Sequence, residues 1–312
     1  MTKAKEAAMP FAAIQSPDKK LTLEYSAETG GSILSFRVSG QDIFRPYDSA
    51  LPLAPLNTAS FPLTPYSNRI IGGKLEFGGK VFDVGPRKPD DLHQLHGDGW
   101  LLPWRIETEA PDSVTMHLRT EKAPHTPYAY DARQTYRLDD KGLEISMSVT
   151  NKGGRALPFG LGHHPYFPRN GQTKLTANLP KVWNSRRIVP TDLAITPPQW
   201  DFSRGLTLGD DKFGPPAQGT EGRDLLDHCF TGWDQVARVD WPDRTLAVTI
   251  TADPIFAQFV IYIPAEKPFF CAEPVTNIND GFNLQARGIA DTGTVVLQPG
   301  ETLAGKMRFD IA

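Results

Sequence analysis

Apolar and polar positions alternate along most of this chain with a period of two. In "KLTLEYSAETGGSILSFRVSG", Leu21, Leu23 and Tyr25 fall on one face. A turn follows at Thr29-Gly30-Gly31, and Leu34, Phe36 and Val38 then fall on one face of a second segment. Such alternation is the signature of half-buried β-strands joined by a hairpin. "SVTMHLRT" repeats it with Val114, Met116 and Leu118. "RQTYRLDDKGLEISMSVTNKG" predicts a second hairpin: Tyr136 and Leu138, a turn over Asp139 to Gly142, then Leu143, Ile145, Met147 and Val149. "RTLAVTIT", "QFVIYIP" and "TVVLQPGETLAGKMRFDIA" carry the pattern to the C-terminus. Helical periodicity over a dozen residues is hard to find, and 28 prolines with 27 glycines suit many short strands. The prediction is an all-β chain forming one large antiparallel β-sandwich domain over residues 21–312, preceded by a short lead over 1–20. The stretch from Ala156 to Gly232 reads as loop-rich.

Composition narrows the function classes. With 312 residues and a formal net charge of −3, the chain has no basic field for nucleic acid. No segment is apolar enough to span a bilayer, and the N-terminus has no continuous apolar region like that of a signal peptide. Cytoplasm is the default compartment. Two cysteines, Cys229 and Cys271, make neither a disulfide framework nor a four-cysteine zinc site.

Four short segments put polar side chains inside aromatic or turn-rich sequence. In "FPLTPYSNRIIGGKLEFGG", Asn68 and Arg69 are either a turn residue with a solvated cation or a fork for hydroxyls and carboxylates. In "DLHQLHGDGW", His93 and His96 are three apart, so on a strand their rings face opposite ways. The glycines there permit a close backbone approach to a ligand, and Trp100 offers a flat apolar wall. Either histidine could instead be a buried ring bonded to backbone. In "PFGLGHHPYFP", His163 and His164 are adjacent, so in extended chain one can enter a pocket while the other is exposed or structural. In "PFFCAEPVTNINDGFN", Glu273 follows an apolar strand end, where partial desolvation would raise its pKa towards that of a working base. An exposed loop glutamate is the plainer reading. A fifth segment, "LLDHCFTGW", holds Asp227. No H-E-x-x-H or Cys/His quartet is present, and nothing in the spacing supports a zinc site built from His96, His164 and Asp227. A glycosidase needs two carboxylates flanking the bond, whereas one carboxylate with histidines suits proton shuttling.

The ordered set "PYSNRIIGGKLEFGGK", "LHQLHGDGW", "GLGHHPYF", "LLDHCF" and "CAEPVTNINDGFN" resembles the aldose 1-epimerase, or galactose mutarotase, family over nearly the whole chain. The resemblance implies a galactose mutarotase-like supersandwich whose concave face binds a free monosaccharide, without cofactor or metal. It implies Glu273 as base, His164 as acid and His96 as a further catalytic donor. It implies Asn68, Arg69 and Asp227 as substrate contacts, and Trp100, read from its own segment, would add an apolar wall for the sugar ring. Asp98 stands where the family commonly has a second glycine. One base and one acid suffice for anomer exchange: the C1 hydroxyl loses a proton, the ring oxygen gains one, C1–C2 rotates and the ring recloses. A protonated His164 would serve as the acid. His96 can donate to an oxygen that gains charge on opening, and Arg69 and Asp227 can hold hydroxyls. Two alternatives remain. A hexose-6-phosphate 1-epimerase would want extra cations, for which Arg186 and Arg187 are candidates. A non-catalytic sugar sensor or lectin-like module would need no acid–base pair. The sugar is the expected partner, and the protein is expected to be a monomer or homodimer.

Overall fold

The computed structural model describes residues 11–84, 92–121, 126–186, 188–209 and 224–312. Their strands pair antiparallel throughout, and the two largest sheets have nine and eight strands. The nine-stranded sheet is built around the hairpin read from sequence: Tyr130–Leu138 pairs with Gly142–Asn151, Leu138 opposite Leu143 and Tyr136 opposite Ile145. Ser113–Thr120 flanks it on one side and Thr302–Ile311 on the other. In these strands the alternate apolar side chains are buried: Val114, Met116, Leu118, Tyr136, Leu143, Ile145 and Val149.

The eight-stranded sheet faces this one across the main core. An aromatic relay joins the two layers. Phe309 of the nine-stranded sheet meets Phe44 edge-on at 5.1 Å, Phe44 meets Phe167 at 5.2 Å, and Phe167 stacks on Phe270 of the other sheet at 5.4 Å. All four rings are fully buried, each contributing on the order of 1.5–3 kcal/mol of transfer free energy. The far face of the eight-stranded sheet carries a second, smaller cluster that includes Phe61, Trp100, Tyr166, Val260 and Cys271.

The Ala156–Gly232 stretch differs from its loop-rich reading. It contains the strands Leu157–Phe159, Gly162–His163, Tyr166–Pro168, Lys174–Ala177, Lys181–Arg186, Val189–Ile195, Leu206–Thr207 and Asp224–Thr231. Several are short, and the register shifts between Asn184 and Ser185. In the last of these strands Leu226 to Thr231 are covered on both sides, so this part of the sequence lacks the apolar–polar alternation that marks a half-solvated strand. Before the first predicted hairpin, Ala12–Gln15 pairs with Leu21–Ser26 as an edge strand. No helix among the described residues is long and apolar enough to cross a membrane.

Candidate active site

The floor of a cleft is laid out by the register of three strands of the eight-stranded sheet. Asp224–Thr231, Gln258–Pro264 and Phe269–Val275 run side by side. Opposite residues form two rows: Asp227, Tyr262 and Cys271 in one, and Cys229, Val260 and Glu273 in the other. Residues two apart on a strand share a face. Asp227 with Cys229, and Cys271 with Glu273, therefore project together on the side away from the main core. Tyr166 lies opposite Cys271 and extends its row.

The cleft, about 210 Å³ in volume, is lined by Asn68, Arg69, His96, His164, Asp227 and Glu273, together with Leu56, Leu95, Tyr166, Val260 and Tyr262. It is smaller than the roughly 300–1,000 Å³ of sites for drug-sized ligands, and suits one small polar molecule.

One wall is the loop carrying Asn68 and Arg69, clipped in place from two directions. Asn68 has left-handed backbone (φ 62°), as does His96 (φ 55°). The Asn68 N–H donates to His96 Nδ1 at 3.0 Å, and the His96 N–H donates to the Asn68 carbonyl at 2.8 Å. A ring nitrogen that accepts carries no proton, so neutral His96 bears its hydrogen on Nε2, as a donor. Burial, with the charges of His164 and Arg69 adding to it, holds His96 well below the usual imidazole range and therefore neutral. The second clip comes from "VTNIND". Asn277 Oδ1 accepts the Ser67 N–H at 3.1 Å and Asn279 Oδ1 accepts the Arg69 N–H at 3.0 Å. Asp280 Oδ1 accepts the Ile71 N–H at 3.0 Å. These three residues were not singled out from sequence, although they follow Glu273 in the same quoted segment.

His163, the last residue of the strand Gly162–His163, and His164 just beyond it part company. His163 is fully buried on the core side. Its Nδ1 bonds Ser60 Oγ and its Nε2 meets the Tyr136 hydroxyl at 3.1 Å. Burial, helped by His164, lowers it to about 3, so it is a neutral core residue. His164 enters the cleft. Its ring is clamped between Phe61 and Tyr166, each with its centroid 4.7 Å away at interplanar angles of 23° and 33°. The stack continues in both directions. Trp100 lies on Phe61 at 5.2 Å, and the Arg45 guanidinium lies over Tyr166 at 4.0 Å. His164 Nδ1 is buried without a hydrogen-bond partner. Ring stacking, rather than the usual second hydrogen bond, therefore fixes its orientation.

His164 Nε2 lies 3.4 Å from Glu273 Oε1. Burial raises Glu273 well above the usual carboxylate range; Asp227 adds to this and Arg69 opposes it. Burial lowers His164 to about 3, with Arg45 and Arg69 contributing. Burial thus favours the uncharged form of both groups, and His164 is neutral at neutral pH. To serve as the acid, His164 has to take up a proton that its burial disfavours, and Glu273, 3.4 Å away, is placed to exchange one with it. Transfer across the pair produces the carboxylate and imidazolium without changing the proton count. Arg69 and Asp227 form a loose ion pair at 3.8 Å across the mouth.

Several sequence readings land elsewhere. Trp100 does not line the cleft. It is buried behind Phe61, with its indole N–H directed at the carbonyls of Gly97 (3.2 Å) and Leu95 (3.3 Å), and Tyr166 and Tyr262 supply the aromatic wall. Gly97 approaches protein, not ligand: at φ 68° a Cβ would sit 2.4 Å from Pro65 Cδ. Asp98 turns inwards to accept the Tyr130 hydroxyl at 2.5 Å. His93 also stays out of the cleft lining, its Nδ1 accepting the Gly72 N–H at 3.0 Å. Arg186 is exposed at the end of its strand, and Arg187 lies outside the described residues.

The order of these parts along the chain has counterparts in known proteins. A sequence model of the aldose 1-epimerase family matches residues 18–310. The uncharacterized Escherichia coli K12 protein YphB is 29% identical over 265 residues, covering 82% of this chain and 84% of that protein. The crystal structure of an E. coli K12 protein provisionally designated an aldose 1-epimerase superposes with a TM-score of 0.84 at 26% identity. It covers 97% of this chain and 98% of that one. A GalM/aldose epimerase homologue from Caenorhabditis elegans shares the fold, with a TM-score of 0.80 at 18% identity over 97% of this chain and 98% of that one. With the match running from the first hairpin to the last strand, this chain belongs to the aldose 1-epimerase family.

Proposed function

We propose that the cleft interconverts the α and β anomers of a free monosaccharide. The observation that carries this reading is the buried Glu273–His164 pair, 3.4 Å apart, with His96 beside it. Anomer exchange removes a proton from O1 and delivers one to the ring oxygen, with no net change. A pair that holds one proton supplies what this requires: Glu273 as carboxylate takes the O1 proton while His164 as imidazolium gives one to the ring oxygen. After rotation about C1–C2 the two groups exchange roles and the ring closes on the other face. The Nε2–H of His96 donates to oxygen that gains charge as the ring opens. The carboxylate of Asp227 accepts from sugar hydroxyls and the guanidinium of Arg69 donates to them, holding the ring against the pair.

Two features favour a neutral sugar over a 6-phosphate. Arg69 is the sole cation among the described residues that line the cleft, and its charge already faces Asp227. A phosphate carries close to two negative charges and calls for more. Freshly dissolved pure anomers of glucose, galactose, xylose, arabinose, fucose and glucose 6-phosphate, followed by polarimetry or NMR, test the reading. Accelerated approach to equilibrium is expected for at least one free aldose, and acceleration of none of them would sink it.

A further inference from the structure

The acid–base pair has a third chemically active neighbour. Cys271 Sγ, a ring nitrogen of His164 and a Glu273 carboxylate oxygen all lie within 4.8 Å of one another, and all three residues are buried. Proton shuttling has no use for a thiol here. We propose that these residues form a binding site for a thiophilic divalent cation, zinc foremost, which inactivates the protein by engaging both members of the pair. The inhibition rests on the mutarotase reading; the metal site does not.

Position and charge both support it. Cys271 and Glu273 stand two apart on the strand Phe269–Val275 and share a face, with His164 directed at Glu273. Tetrahedral zinc holds sulfur at about 2.3 Å and nitrogen or oxygen at about 2.0–2.2 Å, so donor atoms lie roughly 3.3–3.8 Å apart. Closing in from the present separations is a matter of side-chain torsion, not of moving strands. One sulfur, one nitrogen and one oxygen favour zinc over magnesium or calcium, which prefer oxygen alone. Three protein ligands leave a fourth position towards the cleft for water or a sugar hydroxyl.

The exchange balances without an oxidant or reductant. The S–H proton of Cys271 and whatever proton the Glu273–His164 pair carries are released to solvent. Bonds form from the cation to Sγ, to a carboxylate oxygen and to the imidazole. The thiolate and the carboxylate together offset the two charges of the cation, which avoids the cost of an unpaired buried ion. Cys229 is buried in the same row as Glu273, two strands away and outside the cluster, which makes it an internal control.

The test is titration of the full chain with Co²⁺, read by its thiolate-to-metal charge-transfer absorption, beside Zn²⁺ inhibition of mutarotation. Wild type and Cys229→Ala should develop the band at one equivalent; Cys271→Ala and Cys271→Ser should not. Relative to each variant's own uninhibited rate, half-inhibition of the Cys271 variants should need about tenfold more Zn²⁺ or higher. Chelation should restore wild type, and Mg²⁺ should have no effect. No band in wild type, or an undiminished band in both Cys271 variants, overturns the site. A band lost only with Cys271, in a protein inactive on every sugar, upholds the site and overturns the mutarotase reading instead. The two failures are thereby separate.

Discussion

His163 offers a test of how the neutral histidines govern stability. Burial, with His164 beside it, lowers its pKa in the folded chain to about 3, against 6.5 for a free imidazole. A depressed group contributes stability that is present above its unfolded pKa and is lost as pH falls towards the folded one. Within that window the unfolded chain takes up one proton that the native ring refuses, a slope of about 1.4 kcal/mol per pH unit. His164 acts likewise, lowered to about 3, and His96 is also lowered well below 6.5. Glu273 has the opposite sign. Its raised pKa contributes stability that is full below 4.5 and lost as pH rises through the folded value. Between pH 5 and 6 the lowered histidines, His93 and His228 among them, oppose the raised Glu273 and Asp280, and stability should fall on acidification. His163→Gln keeps a polar side chain for Ser60 and Tyr136 but cannot titrate. Urea unfolding at pH steps from 5.0 to 6.5 should show a mean slope shallower than wild type by about 1 kcal/mol per pH unit, because the unfolded ring is only half protonated at the upper end. Because the ring faces the core, kcat should stay within roughly tenfold of wild type. An unchanged slope would refute the assignment of His163 as a neutral buried ring.

Other outcomes follow from the same geometry. The lowered His164 sets the acid side of the pH profile: with its pKa at about 3, kcat/KM should not fall as pH drops from 6.5 to 5. An acid limb centred on the free-imidazole value would contradict this. Prolonged EDTA treatment should leave activity intact; loss that one specific ion restores would make the metal a participant rather than an inhibitor. A free aldose should have a higher kcat/KM than its 6-phosphate at both low and high salt. A preference for the phosphate that fades with salt, and with Arg186→Ala or Arg187→Ala, would move the protein to the sugar-phosphate branch.

The strands that face core on one side and solvent on the other were legible from sequence. Val114, Met116 and Leu118, or Leu143 to Val149, alternate because water takes one side of the sheet. The stretch from Leu226 to Thr231 was not legible, because the core covers one face and the cleft the other, and neither tolerates a regular polar stripe. The same limit applies to the site. Asn68, Arg69, His96, His164, Asp227 and Glu273 were each picked out by chemistry in an unusual local setting, and all line one cleft. Trp100 was picked by the same reasoning and lies one layer behind, since a sequence does not say which side of an aromatic stack meets solvent. Arg45, whose guanidinium caps that stack, sits in "DIFRPYD", where nothing distinguishes it from a surface cation. Cys271 became meaningful only once strand register placed its thiol beside the pair.

The most direct measurement compares wild type with Glu273→Gln in polarimetry of a freshly dissolved pure anomer. The amide is close in shape to the carboxyl group and cannot take the O1 proton. Wild type should accelerate the approach to anomeric equilibrium, and the variant should retain its folded spectrum while kcat falls by about 100-fold or more. A Glu273→Gln protein that mutarotates the sugar at most of the wild-type rate would contradict the role given to the pair.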